Sequence, residues 1–235
     1  MSITILSCYC IILESFLLQF CHVKQLNFTY LVRRSKCDSC KHVLNFYDLV
    51  PIISFLWLRG RCRYCNRKIP LIHFTGELLA WIPIPLISFQ FIHLKASLFI
   101  AIYLFLLAAT LYDYQTFSIP IHFLIVFVII VLALSNHIFY NQIPIIFLLH
   151  LLYLISRSSI GYGDIAIFSL LALVIPFPLF LYIFCCTFIF AGFLAIILIS
   201  ITKMKIAKIP LIPFIFLAFL FTSIFHTYLI QYFYV

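Results

Sequence analysis

The stretch that decides the fold is residues 179–201, LFLYIFCCTFIFAGFLAIILISI, which contains no Asp, Glu, Lys or Arg. An uncharged apolar run of this length matches the bilayer core, because a helix rising about 1.5 Å per residue needs about 20 residues to cross roughly 30 Å. Further apolar blocks lie at residues 3–20, 78–92, 97–111, 121–134 and 209–225. The pattern predicts an all-α, polytopic transmembrane helical bundle.

The composition excludes an ordinary soluble domain. The chain is 66% hydrophobic and 9% charged, whereas soluble domains carry about 25% charged residues. Few glycines and irregular apolar runs favour helices over a transmembrane barrel. No A-x-A-like cleavage site follows the first block, so we interpret that block as a retained helix. We expect about eight helices, near residues 3–21, 71–92, 96–112, 119–135, 141–156, 163–176, 178–201 and 209–231. The predicted division is a first transmembrane helix at 1–21, a cytoplasmic loop at 22–70 and a transmembrane domain at 71–235.

The net charge of +9 comes mainly from one segment. Ten of the fifteen Lys and Arg residues lie between Lys24 and Lys68. If that loop is cytoplasmic, Arg157 and the lysines at 203–208 are cytoplasmic too, and Lys95 alone lies outside, as the positive-inside rule requires. The basic residues are therefore interpreted as topology signals with some attraction to membrane lipid, not as a nucleic-acid site. They predict a multi-pass protein of the cytoplasmic, or inner, membrane.

The predicted loop contains two C-x-x-C pairs. They are Cys37-Asp38-Ser39-Cys40 and Cys62-Arg63-Tyr64-Cys65. Two such turns suit a tetrahedral zinc ion, and a site closed by four cysteines is structural because it has no open coordination position. Thiols stay reduced in the cytoplasm, which argues against disulfides. The alternatives are chance clustering in a chain of nine cysteines and redox use.

Two of the six acidic residues stand out. Asp113 is expected at the inner end of the third helix and Asp164, which ends Gly161-Tyr162-Gly163-Asp164, at the inner start of the sixth. Ionisable residues at membrane depth indicate a functional site. Two neighbouring carboxylates cannot both ionise, so one can activate water while its protonated partner donates to a carbonyl, as in aspartic proteolysis. The alternative for each residue is a helix cap.

In these motifs the sequence resembles the type IV prepilin peptidase family, including its late-competence members. The first catalytic motif of that family, an Asp followed by five residues and Ile-Pro, is matched by residues 113–120, and G-x-G-D is matched by residues 161–164. Further matching stretches are residues 34–40, 48–54, 58–65, 76–79 and 209–214.

The resemblance implies an aspartic endopeptidase with Asp113 and Asp164 as catalytic residues at the cytoplasmic face. Its substrates would be prepilin or competence pseudopilin precursors, cut after short basic leaders. Gly161, Gly163 and Glu77 are candidate substrate-loop residues, and Glu77 either meets the leader or pairs with a basic loop residue. Many members also N-methylate the new terminus with S-adenosylmethionine, for which the residues here indicate no site.

Two departures from the family pattern leave alternatives open. Glu14 stands where the family usually has Gly, and Ala166 where it often has Lys. They motivate a non-catalytic relative that only binds membrane partners. A proton-coupled transporter using the two aspartates is the other alternative, although it leaves the cysteine pairs unexplained.

Overall fold

A computed structural model describes residues 3–23, 34–92, 94–135, 137–155, 160–202 and 209–231. Within these ranges the regular structure is helical, apart from two isolated β-bridges that pair Lys36 with Val43 and Arg61 with Lys68. The predicted all-α fold class is confirmed. Six basic residues used for the topology prediction lie outside the described ranges: Lys24, Arg33, Arg157, Lys203, Lys205 and Lys208.

The helices follow the predicted apolar blocks closely. They are α1 Ile3–Cys21, α2 Ile53–Trp57, α3 Leu71–Leu79, α4 Pro83–Ser88, α5 Ala96–Thr116, α6 Ile121–Leu134, α7 Ile143–Ile155, α8 Tyr162–Val174, α9 Phe177–Thr202, α10 Ile212–Ile224 and α11 His226–Gln231, with 3₁₀ turns at Phe46–Leu49 and Tyr140–Gln142. The helix expected at 71–92 is interrupted between α3 and α4, where Pro83 and Pro85 remove backbone N–H donors.

Four of the described segments are long and apolar enough to cross a membrane. They are Ile3–Cys21, Leu71–Ser88, Ala96–Thr116 and Phe177–Ile201. The other apolar helices, α6, α7, α8 and α10, have 13 or 14 residues, which corresponds to about 20 Å of helix. These four are shorter than a typical hydrocarbon core, so the bundle combines full-length and short apolar helices.

Helix α5 lies at the centre of the bundle. Its residues from Leu98 to Ala109 are almost all buried, as expected of a helix that is apolar on every side. It packs against α1, α6 and α10, and the Tyr103 hydroxyl donates to the Leu79 carbonyl at 2.8 Å. By contrast, α9 exposes large apolar side chains such as Phe193 and Ile196, which is the pattern of a peripheral, lipid-facing helix.

Several helix ends meet at the end of the bundle where residues 22–70 join α1 to α3, which we call the loop end. His22, just after α1, packs edge-on against Tyr112 near the end of α5, with ring centroids 5.0 Å apart. Its ring also lies 6.5 Å from that of His73 in the first turn of α3. At the start of α6, the His122 side chain hydrogen-bonds the Phe20 carbonyl at 3.1 Å. Contacts across the loop end therefore fix where α1 and α5 finish and where α3 and α6 begin.

Candidate active site

Asp113 lies in the last turn of α5 with only 6% of its surface exposed. The helix ends at Phe117, which has a φ of 51° and donates its N–H to the Asp113 carbonyl at 2.9 Å. The dipole of α5 does not stabilise a carboxylate there, because the C-terminal end of a helix dipole is negative. Instead the backbone N–H of Ile212, at the first turn of α10, interacts favourably with the carboxylate. The N-terminus of α10 thus supplies the favourable end of a dipole to this acid.

Asp164 is the third residue of α8 and is partly buried. Its Oδ2 accepts the Gly161 N–H at 3.2 Å, so the side chain makes the contact expected from the helix-cap alternative. It also interacts electrostatically with Asp113. The two acids, 51 positions apart in the chain, are therefore near enough in the fold to interact electrostatically.

The two motifs that contain these acids touch each other. A Cβ placed on Gly163 would lie 2.9 Å from Cδ1 and 3.3 Å from Cγ1 of Ile119, the residue before the Pro120 that ends the first motif. Any side chain at position 163 would push Ile119 away, because such distances are below ordinary van der Waals contact. Gly163 therefore lets the two motifs pack closely at Ile119, a contact that the sequence does not reveal.

A cavity of about 570 Å³ opens at the loop end. Its lining includes Tyr112, the neighbour of Asp113, together with His22 and His122. Sequence analysis missed these histidines because they are far apart in the chain and show no ligand spacing. The fold gathers them, through His22 at the end of α1 and His122 at the start of α6.

Glu77 on α3 holds two other segments together. One carboxylate oxygen accepts the Ser15 hydroxyl at 3.0 Å, and the other accepts the Ile52 N–H at 2.6 Å. Within the described ranges it forms no salt bridge to a basic side chain, so the expected pairing with a basic loop residue is not seen there. Its role toward the leader stays a prediction.

Glu14 on α1 is completely buried, and neither carboxylate oxygen has a hydrogen-bond partner among the described residues. It packs over Gly76 of α3, where a Cβ would lie 3.6 Å from its Oε1. The same Cβ would lie 2.8 Å from Leu111 Cδ1 of α5, so Gly76 makes room for Leu111, while its distance from Glu14 is an ordinary contact. Ala166 lies on α8 and is partly buried.

The four cysteines of the loop converge. Their Sγ atoms all lie within 4.8 Å of one another, and those of Cys37 and Cys65 are 3.9 Å apart. Tetrahedral zinc with Zn–S bonds of about 2.3 Å requires S···S separations of about 3.8 Å, so Cys37, Cys40, Cys62 and Cys65 fit the ion. Hydrogen bonding from the Cys40 backbone lowers the pKa of Cys37 to about 7, which favours the thiolate that zinc binds.

The two cysteine turns are built in the same way. In the first turn, the Cys37 N–H donates to the His42 carbonyl at 3.0 Å. In the second, the Cys62 N–H donates to the Arg67 carbonyl at 2.9 Å. An isolated antiparallel bridge flanks each turn. These paired turns are a preformed frame for a tetrahedral ion and agree with the predicted structural zinc loop.

Comparison with known proteins finds matches to the first part of the chain. Residues 8–91 match the model of the Bacterial Peptidase A24 N-terminal domain, a region containing most of α1, all of α2 to α4 and the cysteine cluster but neither Asp113 nor Asp164. A "Prepilin leader peptidase/N-methyltransferase" of Vibrio cholerae serotype O1 is 32% identical over 90 residues, which are 37% of this chain and 35% of the relative.

Two further relatives carry the same name. The Burkholderia pseudomallei (strain K96243) protein is 43% identical over 53 residues, covering 21% of this chain and 17% of the relative. The Bacillus subtilis (strain 168) protein is 33% identical over 54 residues, covering 23% and 22%. The matched stretches thus span about a third or less of these relatives' lengths. No solved structure matches the chain.

Proposed function

The matched N-terminal domain and the curated relatives support the type IV prepilin peptidase family, and on that basis we propose that this chain is a membrane-embedded aspartic endopeptidase. It would remove short basic leader peptides from prepilin or competence pseudopilin precursors. The observation that carries the proposal is the contact between the two aspartate motifs, where Gly163 packs against Ile119.

The proposed chemistry uses the two carboxyl groups as one unit. When two acids interact in a poorly solvated site, the first proton leaves far more easily than the second, so the pair holds one proton over a range of pH. The ionised member removes a proton from water, and the protonated member donates to the oxygen of the scissile carbonyl. The Gly161 N–H orients the carboxyl group of Asp164 for these transfers by donating to its Oδ2.

The site also suits a substrate that approaches along the membrane surface. Asp113 is at the end of α5 and Asp164 at the start of α8, so a peptide lying across the helix ends passes both acids. Its scissile bond must dip into the bundle to reach Asp113, because that residue is buried. The positive-inside pattern favours the cytoplasmic side for the loop end, where precursors carry their leaders before export. Zinc, when bound to the four cysteines, would stabilise the fold of the loop and take no part in the chemistry.

Incubating the reconstituted protein with a pseudopilin precursor tests the activity, with intact-mass spectrometry as the readout. We expect a product that lacks the leader, formed in the presence and absence of S-adenosylmethionine. A further mass increase of one methyl group, only with S-adenosylmethionine, would add the methyltransferase activity named in the relatives. Recovery of intact precursor after exhaustive incubation, with membrane insertion and zinc content normal, would contradict the proposal.

A further inference from the structure

The loop between α1 and α3 carries an exposed apolar face that the proposed chemistry does not use. Ile53, Leu56 and Trp57 of the short helix α2 are 64%, 61% and 80% exposed. They are spaced i, i+3 and i+4, so they project from one side of the helix. On the opposite side, the Phe55 ring stacks on Phe74 of α3 with centroids 4.6 Å apart. One face of α2 therefore packs on the protein, and the other presents large apolar side chains outward.

The position of this face along α3 is fixed by two contacts. Besides the stacking of Phe55 on Phe74, the Ile52 N–H donates to the Glu77 carboxylate at 2.6 Å. Glu77 lies six residues after Leu71, the first residue of α3, which is about 9 Å along the helix axis. Since α3 opens the candidate membrane span Leu71–Ser88, α2 lies beside the first two turns of a membrane helix and does not project into water.

The backbone is strained at Ile52, where the chain turns into α2. Ile52 has a φ of 61°, a conformation that is rare for a β-branched residue and costs about 1–3 kcal/mol. The Glu77 hydrogen bond is made by the strained residue itself, so the carboxylate fixes the point at which the chain turns into α2. The orientation of the apolar face is thus set by specific contacts.

The charge around this face selects its partner. Between residues 34 and 70 there are eight basic residues and two acidic ones, and one acid, Asp48, is already paired with Arg63 at 2.8 Å. An excess of positive charge beside an apolar face suits the anionic headgroups and acyl chains of a lipid leaflet, to which each basic residue adds about 1 kcal/mol of attraction. The same charge disfavours a basic peptide as the occupant.

We propose that α2 is an interfacial anchor, which inserts Ile53, Leu56 and Trp57 into the leaflet where α3 begins. The basic residues of the cysteine turns then lie among anionic headgroups. Such a helix is expected to sit about 5–10 Å into the boundary between headgroups and acyl chains, where tryptophan is favoured. The anchor would hold the zinc loop flat against the membrane. This inference depends only on α3 being a membrane helix and not on the proposed peptidase activity.

The chain contains two tryptophans, Trp57 and Trp81, which makes fluorescence a direct test. The Trp81→Phe variant leaves Trp57 as the reporter, and the Trp57→Phe variant leaves Trp81 as the matched control. Trp81 lies ten residues after Leu71, about 15 Å along the helix axis, so it reports a deeper position. Both variants are reconstituted into vesicles of phosphatidylcholine with or without phosphatidylglycerol, and zinc content confirms that the loop is folded.

We expect Trp57 to be quenched at least twofold more by lipids brominated near the headgroup than by lipids brominated deep in the chain, with the order reversed for Trp81. Phosphatidylglycerol should strengthen the shallow quenching of Trp57, and iodide in the buffer should have little effect. Quenching of Trp57 by iodide but not by brominated lipid would overturn the anchor. Protection from both quenchers would also overturn it, because a protein partner would then cover the face. If phosphatidylglycerol left the quenching of Trp57 unchanged, the basic residues would not contribute to membrane binding.

Discussion

Replacing Gly163 with Ala tests whether the contact between the two aspartate motifs sets the geometry of the site. The added Cβ would lie 2.9 Å from Ile119 Cδ1 and 3.3 Å from Cγ1, so Ile119 or the start of α8 must shift. Overpacking of this kind costs about 1–3 kcal/mol. If that strain falls on the placement of Asp164 against Asp113, kcat/KM for leader cleavage should fall roughly 5- to 150-fold, at 1.36 kcal/mol for each factor of ten.

The rescue experiment separates this mechanism from a general loss of folding. Ile119→Ala removes both clashing atoms and leaves only Ile119 Cβ, 3.5 Å from the new methyl group, which is an ordinary contact. The double variant should therefore cleave faster than Gly163→Ala alone, giving a coupling energy of about 1 kcal/mol or more between the two positions. Gly192→Ala is the matched control, because no atom lies within 4 Å of its added Cβ. It should cleave like the parent protein.

Cleavage is measured on a purified pseudopilin precursor with the enzyme in lipid nanodiscs, and thermal unfolding and zinc content are recorded for every variant. The reasoning fails if Gly163→Ala cleaves at the parent rate. It also fails if Ile119→Ala gives no recovery in the double variant, since the loss would then have a cause other than the clash.

Three more outcomes follow from the structure. Cys62→Ser should lose bound zinc and expose the loop to protease, and normal metal content in this variant would exclude a four-cysteine site. Acidification to about pH 5 should release zinc from the parent protein, because protons compete for the thiolates. Glu14→Met should raise the free energy of unfolding by about 1–3 kcal/mol, because it removes a buried carboxyl that has no hydrogen-bond partner among the described residues. A lower melting temperature would show that this carboxyl stabilises the native protein. Glu77→Gln should weaken the hydrogen bond to the Ile52 N–H, a charge-assisted contact worth about 1.5–3 kcal/mol, and so speed hydrogen exchange at Ile52 and in α2. Unchanged exchange would show that the Glu77 carboxylate does not hold α2 in place.

The helices could be predicted from sequence because their signal is strong and local. Long apolar runs predicted α1 and α9 to within one residue at each end, and α8 and α9 are separated close to the predicted boundary at 176–178. The ends were less accurate where tertiary contacts decide them. Helix α5 continues to Thr116 and stops only where Phe117 adopts a positive φ, a choice that no propensity of phenylalanine indicates.

The convergence of the four cysteines could be predicted from sequence, whereas the contacts around the acidic residues could not. The C-x-x-C spacing was enough to predict that four thiols converge, because each short turn already holds two of them. The hydrogen-bond partners of Glu77 and the complete burial of Glu14 were not predictable, since both depend on the packing of α1 against α3. The contact between Ile119 and Gly163 also lay beyond sequence reasoning, because it joins motifs whose relative position only the folded bundle defines.

The measurement that tests the central claim most directly is the single-turnover cleavage of a pseudopilin precursor by Asp113→Asn and Asp164→Asn, each compared with the parent protein in the same nanodiscs. Asparagine keeps the size of each side chain but cannot exchange the catalytic proton. If the two acids act as one unit, each variant alone should leave the precursor uncut, while expression, zinc content and thermal unfolding remain close to those of the parent. Cleavage at the parent rate by either variant would show that the pair does not carry out the reaction.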